Sequence, residues 1–166
     1  MKSVLLALVS LITMTLVSPS QLVAQMVTTG VDDGSIGSLR GQINNAVPGA
    51  TISFMSAVTI VNLNDEIIIN KDITINGLAV VNTTIDAGGN SRIFNVQSGT
   101  VVLNNLSLTN GVAVNGGGVF NTSNLTMNNC RVNACIANGA SGSGGGVLNS
   151  NGGVFTANDT EFNGNV

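Results

Sequence analysis

The feature that most constrains this chain is a repeat that runs through most of its length. Four segments share one pattern: an apolar residue, any residue, a small or apolar residue, Asn, then Asn, Gly or Asp, and an apolar residue three positions later. The segments are residues 73–80, 101–108, 125–132 and 155–162, and their starts lie 28, 24 and 30 residues apart. A second register runs between them, at residues 67–69, 93–95, 119–121 and 147–149, with starts 26, 26 and 28 residues apart.

Side chains alternate within each unit, which indicates strands. The alternation predicts that Ile73, Ile75 and their equivalents face one way, while Thr74, Val102, Thr126 and Thr156 face the other. One unit cannot bury its apolar side alone, so successive units must stack. Units of this length, made of strands with no helical stretch between them, fit the coils of a parallel β-helix. We therefore predict an all-β fold of about four coils.

An asparagine recurs at one place in the repeat, where each strand must bend. Asn76, Asn104, Asn128 and Asn158 hold this place, and stacked amides there can hydrogen-bond along the solenoid axis. The pattern predicts a structural asparagine ladder. Two glycine runs also match each other in position and are predicted to be repeated turns instead of a phosphate-binding loop: Gly116, Gly117 and Gly118, and Gly144, Gly145 and Gly146.

Composition excludes several kinds of site. The chain has no His, Trp or Tyr, 8% charged residues and a formal net charge of -3. A catalytic histidine, a histidine-ligated metal and a nucleic-acid partner are therefore excluded. Cys130 and Cys135 are predicted to be two free, buried thiols, because the intervening residues look like a strand that would hold the sulfurs apart.

The first 25 residues are predicted to be a signal peptide. One Lys precedes an apolar stretch that ends before Pro19, and small residues follow up to Ala24. A membrane anchor is the alternative, although the stretch is shorter than a bilayer requires. We expect an exported protein, extracellular or on the outer cell surface, whose only association with a membrane comes through export or the outer membrane.

Residues 26–54 are predicted to form an N-terminal cap that ends in the first strand, ahead of coils at 55–166. Leu39, Ile43 and Ala46 are spaced as on one face of a short amphipathic helix, with Ser38 before it and Pro48-Gly49 after it. Such a segment would cover the apolar end of the first coil. The core of the cap motif is Ser38, Leu39, Arg40 and Ile43.

Residues 33–43, followed by Ala46 and by residues 48–54, resemble the "SLREAI" motif of exported right-handed parallel β-helix proteins. With the Gly-Gly-Gly-Val-Phe-Asn repeat, the chain is similar to bacterial surface proteins that include polymorphic outer-membrane adhesins and the wider pectate-lyase-like superfamily. The resemblance implies a right-handed solenoid in which these segments are structural, and it marks no residue as catalytic. The sequence ends inside what should be a continuing coil, which leaves two explanations: further coils of the same protein beyond Val166, which the resemblance favours, or a last coil covered by another chain.

The charged residues do not form a recognisable active site. No two carboxylates fall at equivalent positions of adjacent coils, so we predict no catalytic, cofactor or metal-binding residue. Lys71 with Asp72, and Asp86 with Arg92, are predicted surface ion pairs. The predicted function is a non-catalytic scaffold of an adhesin-like surface protein, whose ligand is a surface group or a polysaccharide.

Two alternative functions remain open. A pectate-lyase-like carbohydrate-active enzyme would use calcium, for which Asp32-Asp33 and Asp65-Glu66 are the best candidates. A glycan- or ice-binding module would use the outward column of Thr74, Thr126 and Thr156, which Val102 interrupts.

Overall fold

The computed structural model describes residues 25–166, so the predicted signal peptide lies almost entirely outside the described residues. Within the described part, no helix has the length and apolar character needed to cross a bilayer. In chain order the elements are β1 (Gln25–Val27), α1 (Leu39–Asn45), β2 (Ala50–Phe54), β3 (Ile60–Asn62), β4 (Ile67–Ile69), β5 (Ile73–Asn76), β6 (Thr83–Asp86), β7 (Phe94–Val96), β8 (Thr100–Asn104), β9 (Leu106–Thr109), β10 (Val112–Ala113), β11 (Val119–Asn121), β12 (Asn124–Asn128), β13 (Arg131–Asn133), β14 (Ile136–Ala137), β15 (Val147–Asn149), β16 (Val154–Asn158) and β17 (Glu161–Asn163).

Every strand pairing is parallel, and the strands form three long faces. The first face contains β1, β2, β5, β8, β12 and β16; the second contains β3, β6, β9, β13 and β17; the third contains β4, β7, β11 and β15. A two-stranded sheet of β10 and β14 lies between the second and third faces. The predicted parallel β-solenoid is confirmed. With six rungs on its first face the solenoid makes about five turns in all. Four of these rungs, β5, β8, β12 and β16, lie in the region 55–166, which agrees with the prediction of about four coils behind the cap.

The core is the stack of inward side chains of all three faces. Ile73 pairs with Val101, and Val101 with Leu125, so the predicted inward column is confirmed. All three residues are at most 2% exposed. Because each rung adds only a few apolar side chains, the core is continuous along the axis and depends on neighbouring rungs.

The second predicted register is wrong by one residue at its second coil. Ile67 pairs with Phe94 instead of Ile93, and Phe94 pairs with Val119. A slip of one residue exchanges the two sides of a strand, and the observed register turns Phe94 and Val96 inward. Ile93 is also fully buried, at the turn that precedes β7, so alternation alone did not distinguish it from Phe94.

Helix α1 caps the first coil as predicted. Leu39 and Ile43 are buried, and Ser38 is the N-cap, with its Oγ accepting a hydrogen bond from Gly41 N at 3.0 Å. A Cβ at position 41 would lie 1.8 Å from the carbonyl oxygen of Ser35, so glycine is needed there for the backbones to approach.

Lys71 fastens the other end of α1 to the solenoid. Its Nζ donates to the carbonyl oxygens of Ile43, Asn44 and Ala46 at 3.2, 3.2 and 3.1 Å. The predicted ion pair of Lys71 with Asp72 is therefore wrong: the carboxylate of Asp72 instead accepts from Thr100 N at 2.7 Å. A cation is favourable at a helix C-terminus, where unpaired carbonyls concentrate negative partial charge.

Candidate functional site

The asparagine column forms a continuous amide ladder along one edge of the first face. The Nδ2 atoms of Asn104, Asn128 and Asn158 each donate to the Oδ1 of the previous rung, Asn76 being the first acceptor, and each distance is 2.7 Å. The strand register places the four residues directly above one another. The predicted ladder is confirmed, and all its bonds point in the same direction along the axis.

A second column follows the ladder, at the repeat position that holds Asn, Gly or Asp, for which no structural role was predicted. Asn105, Asn129 and Asp159 come directly after ladder residues and have left-handed backbone, with φ of 55°, 49° and 47°. Asn129 Nδ2 also donates to Asn105 Oδ1 at 2.7 Å. Asn and Asp tolerate this conformation better than other residues with a Cβ. Their recurrence after each ladder residue from Asn104 onward was the signal in the sequence.

The two glycine runs lie at matching turns that lead into β11 and β15. Gly116 and Gly144 have φ of 62° and 67°, in the left-handed region. Gly118 N donates to Gly145 O at 2.9 Å, and Gly116 N donates to Ser143 O at 3.0 Å, so the runs stack on each other. Their N–H groups thus bond to the neighbouring turn.

The calcium candidates Asp32-Asp33 and Asp65-Glu66 meet at one corner, where Arg40 holds them together. Arg40 donates to both carboxylate oxygens of Asp32, at 2.8 and 2.6 Å, and to the carbonyl oxygens of Glu66 and Asp65, at 2.8 and 2.6 Å. The Asp32 side chain is fully buried. The guanidinium of Arg40 balances the negative charge of Asp32 in a bidentate pair. The two side chains together therefore form a structural brace.

Asp33 is exposed and makes no contact with Arg40. Its Oδ1 accepts from Ser35 N at 2.9 Å, and hydrogen bonds from Ser35 lower the pKa of its exposed carboxyl. Across residues 25–166, no three metal-ligating side chains gather in one place.

A second arginine brace lies further along the axis, on the third face. Arg92 forms an ion pair with Glu66 instead of the predicted Asp86 and donates to the carbonyl oxygens of Asn115 and Gly116, at 3.0 Å each. Its guanidinium also lies 5.3 Å from the centroid of the Phe120 ring. One side chain therefore ties three successive coils together. Asp86 accepts from Gly88 N at 2.8 Å and caps a turn.

The remaining ion pair within residues 25–166 lies on the second face. Arg131 Nε donates to Glu161 Oε2 at 3.1 Å, and both side chains are more than half exposed. The positions are equivalent on adjacent rungs. An exposed pair of this kind contributes little to stability.

Cys130 and Cys135 are free and buried, as predicted. Burial raises the pKa of both thiols. Neither thiol has the electropositive, accessible surroundings of a reactive cysteine. Both lie inside the coil, where they pack as small apolar residues.

The strands of the first face carry no charged side chain. Its outward column is Thr51, Thr74, Val102, Thr126 and Thr156, paired in register. None of its six strands contains Asp, Glu, Lys or Arg. The second face, by contrast, carries Asp86, Arg131 and Glu161.

A groove of about 590 Å³ lies beside the first coil, at the start of the second face. Hydroxyls and amides of Thr28, Thr59 and Asn62 line it, with Ile60 and Val31 as its apolar part. Asp32 is the one charged residue of its lining, and Arg40 already binds that carboxylate. A pair of free carboxylates with a basic group, as a polysaccharide lyase or glycosidase requires, is not gathered in this groove.

These observations define the class of the protein as a parallel β-solenoid with an N-terminal helical cap. Comparison with protein-family models, with curated proteins and with solved structures found no match.

Proposed function

We propose that the chain is a non-catalytic scaffold that is exported and displayed at the cell surface, as part of an adhesin-like protein. The resemblance of residues 33–54 to the "SLREAI" motif of exported β-helix proteins supports this proposal, as does the apolar segment at its start. The first face would be the contact surface. It is the longest face, and its strands carry no charge.

One observation carries the proposal: three of the four basic side chains in residues 25–166 serve the fold. Arg40 and Arg92 bridge successive coils, and Lys71 caps α1. Groups engaged in this way are unsuited to proton transfer, because a catalytic base must be free to reach the substrate. The neutral first face, in turn, suits a partner that is held by many weak polar contacts.

The competing function, a pectate-lyase-like enzyme, makes an opposite prediction. The purified protein would be incubated with acidic polysaccharides, with and without calcium, and the release of unsaturated products followed by ultraviolet absorbance. The scaffold proposal expects no turnover in either condition. Turnover in either condition would refute it, and a requirement for calcium would favour the pectate-lyase-like alternative.

The contact surface is tested with isosteric changes. Thr74→Val and Thr126→Val together remove two hydroxyls from the first face while preserving strand propensity. Thr84→Val, on the second face, is the matched control. We expect the double variant, but not the control, to weaken attachment of cells that display the protein to a surface coated with host or bacterial glycans. Equal attachment of both variants would exclude the first face.

A second candidate function, binding of a neutral glycan or of ice, is favoured by the outward column in which four of five residues are threonine. Co-sedimentation with insoluble neutral polysaccharides tests the glycan, and thermal hysteresis of a freezing solution tests ice. Val102 breaks the hydroxyl row, so Val102→Thr should increase the signal if either candidate is correct.

Export is tested separately. The full chain and a variant that lacks residues 1–24 would be expressed in bacteria, and the cell fractions probed for the protein. We expect the full chain outside the cytoplasm and shortened at its start, and the truncated variant inside. Retention of both in the cytoplasm would refute the export part of the proposal.

A further inference from the structure

The chain contains six Asn-Gly pairs, a dipeptide that is chemically labile. The glycine nitrogen can attack the side-chain carbonyl carbon of the asparagine, and glycine has no Cβ to hinder the approach. Reaction therefore depends on whether the carboxamide and the glycine N–H are free. The pairs begin at Asn76, Asn110, Asn115, Asn138, Asn151 and Asn163.

Five of the six pairs are held by hydrogen bonds to a neighbouring coil. In four of them the asparagine side chain is engaged, and in three the glycine N–H is engaged. The side-chain bonds are Asn104 Nδ2 to Asn76 Oδ1, Asn110 Nδ2 to Asp86 Oδ1, Ser143 N to Asn115 Oδ1 and Asn163 Nδ2 to Asn133 Oδ1. The glycine bonds are Gly77 N to Asn104 O, Gly116 N to Ser143 O and Gly139 N to Val114 O.

Asn151-Gly152 differs from the other five. Both residues are exposed, in the turn between β15 and β16. Within residues 25–166, neither the carboxamide of Asn151 nor the N–H of Gly152 has a hydrogen-bond partner. The space around Gly152 is open, and the turn is closed by Gly153 N donating to Ser150 O at 2.9 Å.

We propose that Asn151 is the principal site of spontaneous deamidation in this protein. The Gly152 nitrogen forms a bond to Cγ of Asn151 and loses its proton, while the Cγ–Nδ2 bond breaks and ammonia leaves. The resulting cyclic imide is then opened by water at either carbonyl. One opening yields aspartate, and the other yields isoaspartate, in which the main chain runs through the side-chain carbon.

The modification changes the turn in two ways. It adds one negative charge, and isoaspartate adds a methylene to the main chain of a tight turn. The bonds at risk are Gly153 N to Ser150 O, and Asn149 Nδ2 to Gly153 O at 2.6 Å. Because this turn leads into β16, the change would alter the entry of the chain into a rung of the first face.

The test is peptide mapping by mass spectrometry after incubation of the purified protein at mildly alkaline pH. Conversion of each Asn-Gly pair is followed over time, in the native state and in concentrated urea. In the native state we expect Asn151 to convert at least about tenfold faster than any other pair, since the others must first break one or more hydrogen bonds. In urea the six rates should converge, because the fold no longer distinguishes them.

Two controls complete the design. Asn151→Gln should abolish conversion at this site and leave the other five rates unchanged, since the longer side chain cyclises poorly. Enzymatic labelling of isoaspartate in the native protein should locate to the same peptide. The proposal is overturned if another Asn-Gly pair converts fastest in the native protein, or if the order of rates in urea matches the native order.

Discussion

The asparagine ladder makes a quantitative prediction, which Asn104→Ala tests. Asn104 donates one side-chain hydrogen bond to Asn76 and accepts another from Asn128, both at 2.7 Å. A net hydrogen bond contributes about 1 kcal/mol, so the loss of both should cost about 2 kcal/mol of unfolding free energy. Asn158 makes a single ladder bond and is exposed, so Asn158→Ala should cost about half as much.

Urea unfolding followed by far-ultraviolet circular dichroism measures these costs, since the chain has no Trp or Tyr to report by fluorescence. With slopes of roughly 1–3 kcal/mol per molar urea, Asn104→Ala should lower the midpoint by about 1 M. Equal midpoints for Asn104→Ala and Asn158→Ala would refute the reasoning, because the cost of a substitution would then not depend on the number of ladder hydrogen bonds that it removes.

A double-mutant cycle separates the ladder from simple loss of side chains. Asn104→Ala and Asn128→Ala remove one shared bond between them, so their combined cost should be smaller than the sum by at least about 0.5 kcal/mol. Asn104→Asp is a sharper variant, because it keeps the shape and the acceptor but replaces the donor to Asn76 by a second oxygen. It should be destabilising, whereas strict additivity in the cycle would argue against coupling along the axis.

Three further predictions concern the brace, a corner and the thiols. Arg40→Ala should lower the unfolding free energy by about 3 kcal/mol, since the buried carboxylate of Asp32 loses its partner; a urea midpoint near wild type would contradict this. Ala134 has φ of 51°, so Ala134→Gly should gain up to about 1 kcal/mol, and a lower midpoint would exclude strain at this corner. Burial raises the pKa of the two cysteines, so their contribution to stability is present below the ordinary thiol pKa and is lost as pH rises through the raised value. The midpoint should therefore fall at alkaline pH in wild type and less so in the double Cys→Ala variant; identical pH profiles would contradict the assignment.

The repeat was predictable because its pattern is local and recurs. Alternation places Ile73 and Ile75 inside, and the asparagine that follows marks the same bend in each coil. The short third face was harder to place. Ile93 and Phe94 are both buried, so a three-residue strand between tight turns offers too little alternation to set its register.

The ionic contacts could not be predicted from spacing. Arg92 is close to Asp86 in the chain, yet it binds Glu66 on the preceding coil. Likewise, Lys71 is adjacent to Asp72 in the chain, yet its Nζ binds carbonyl oxygens at the end of α1. Each contact depends on how loops of different length lie over one another, which neighbouring residues do not encode.

Strand alternation, the bending asparagines and the capping helix are all written in short stretches of residues, so the order of amino acids alone determined that rungs form and stack. Which arginine binds which carboxylate, and which Asn-Gly pair keeps its amide free, was decided only when the coils came into contact. The physical reason is that most of these contacts join groups on different coils, such as Arg92 with Glu66 and Asn104 with Asn76, which the winding of the chain brings together.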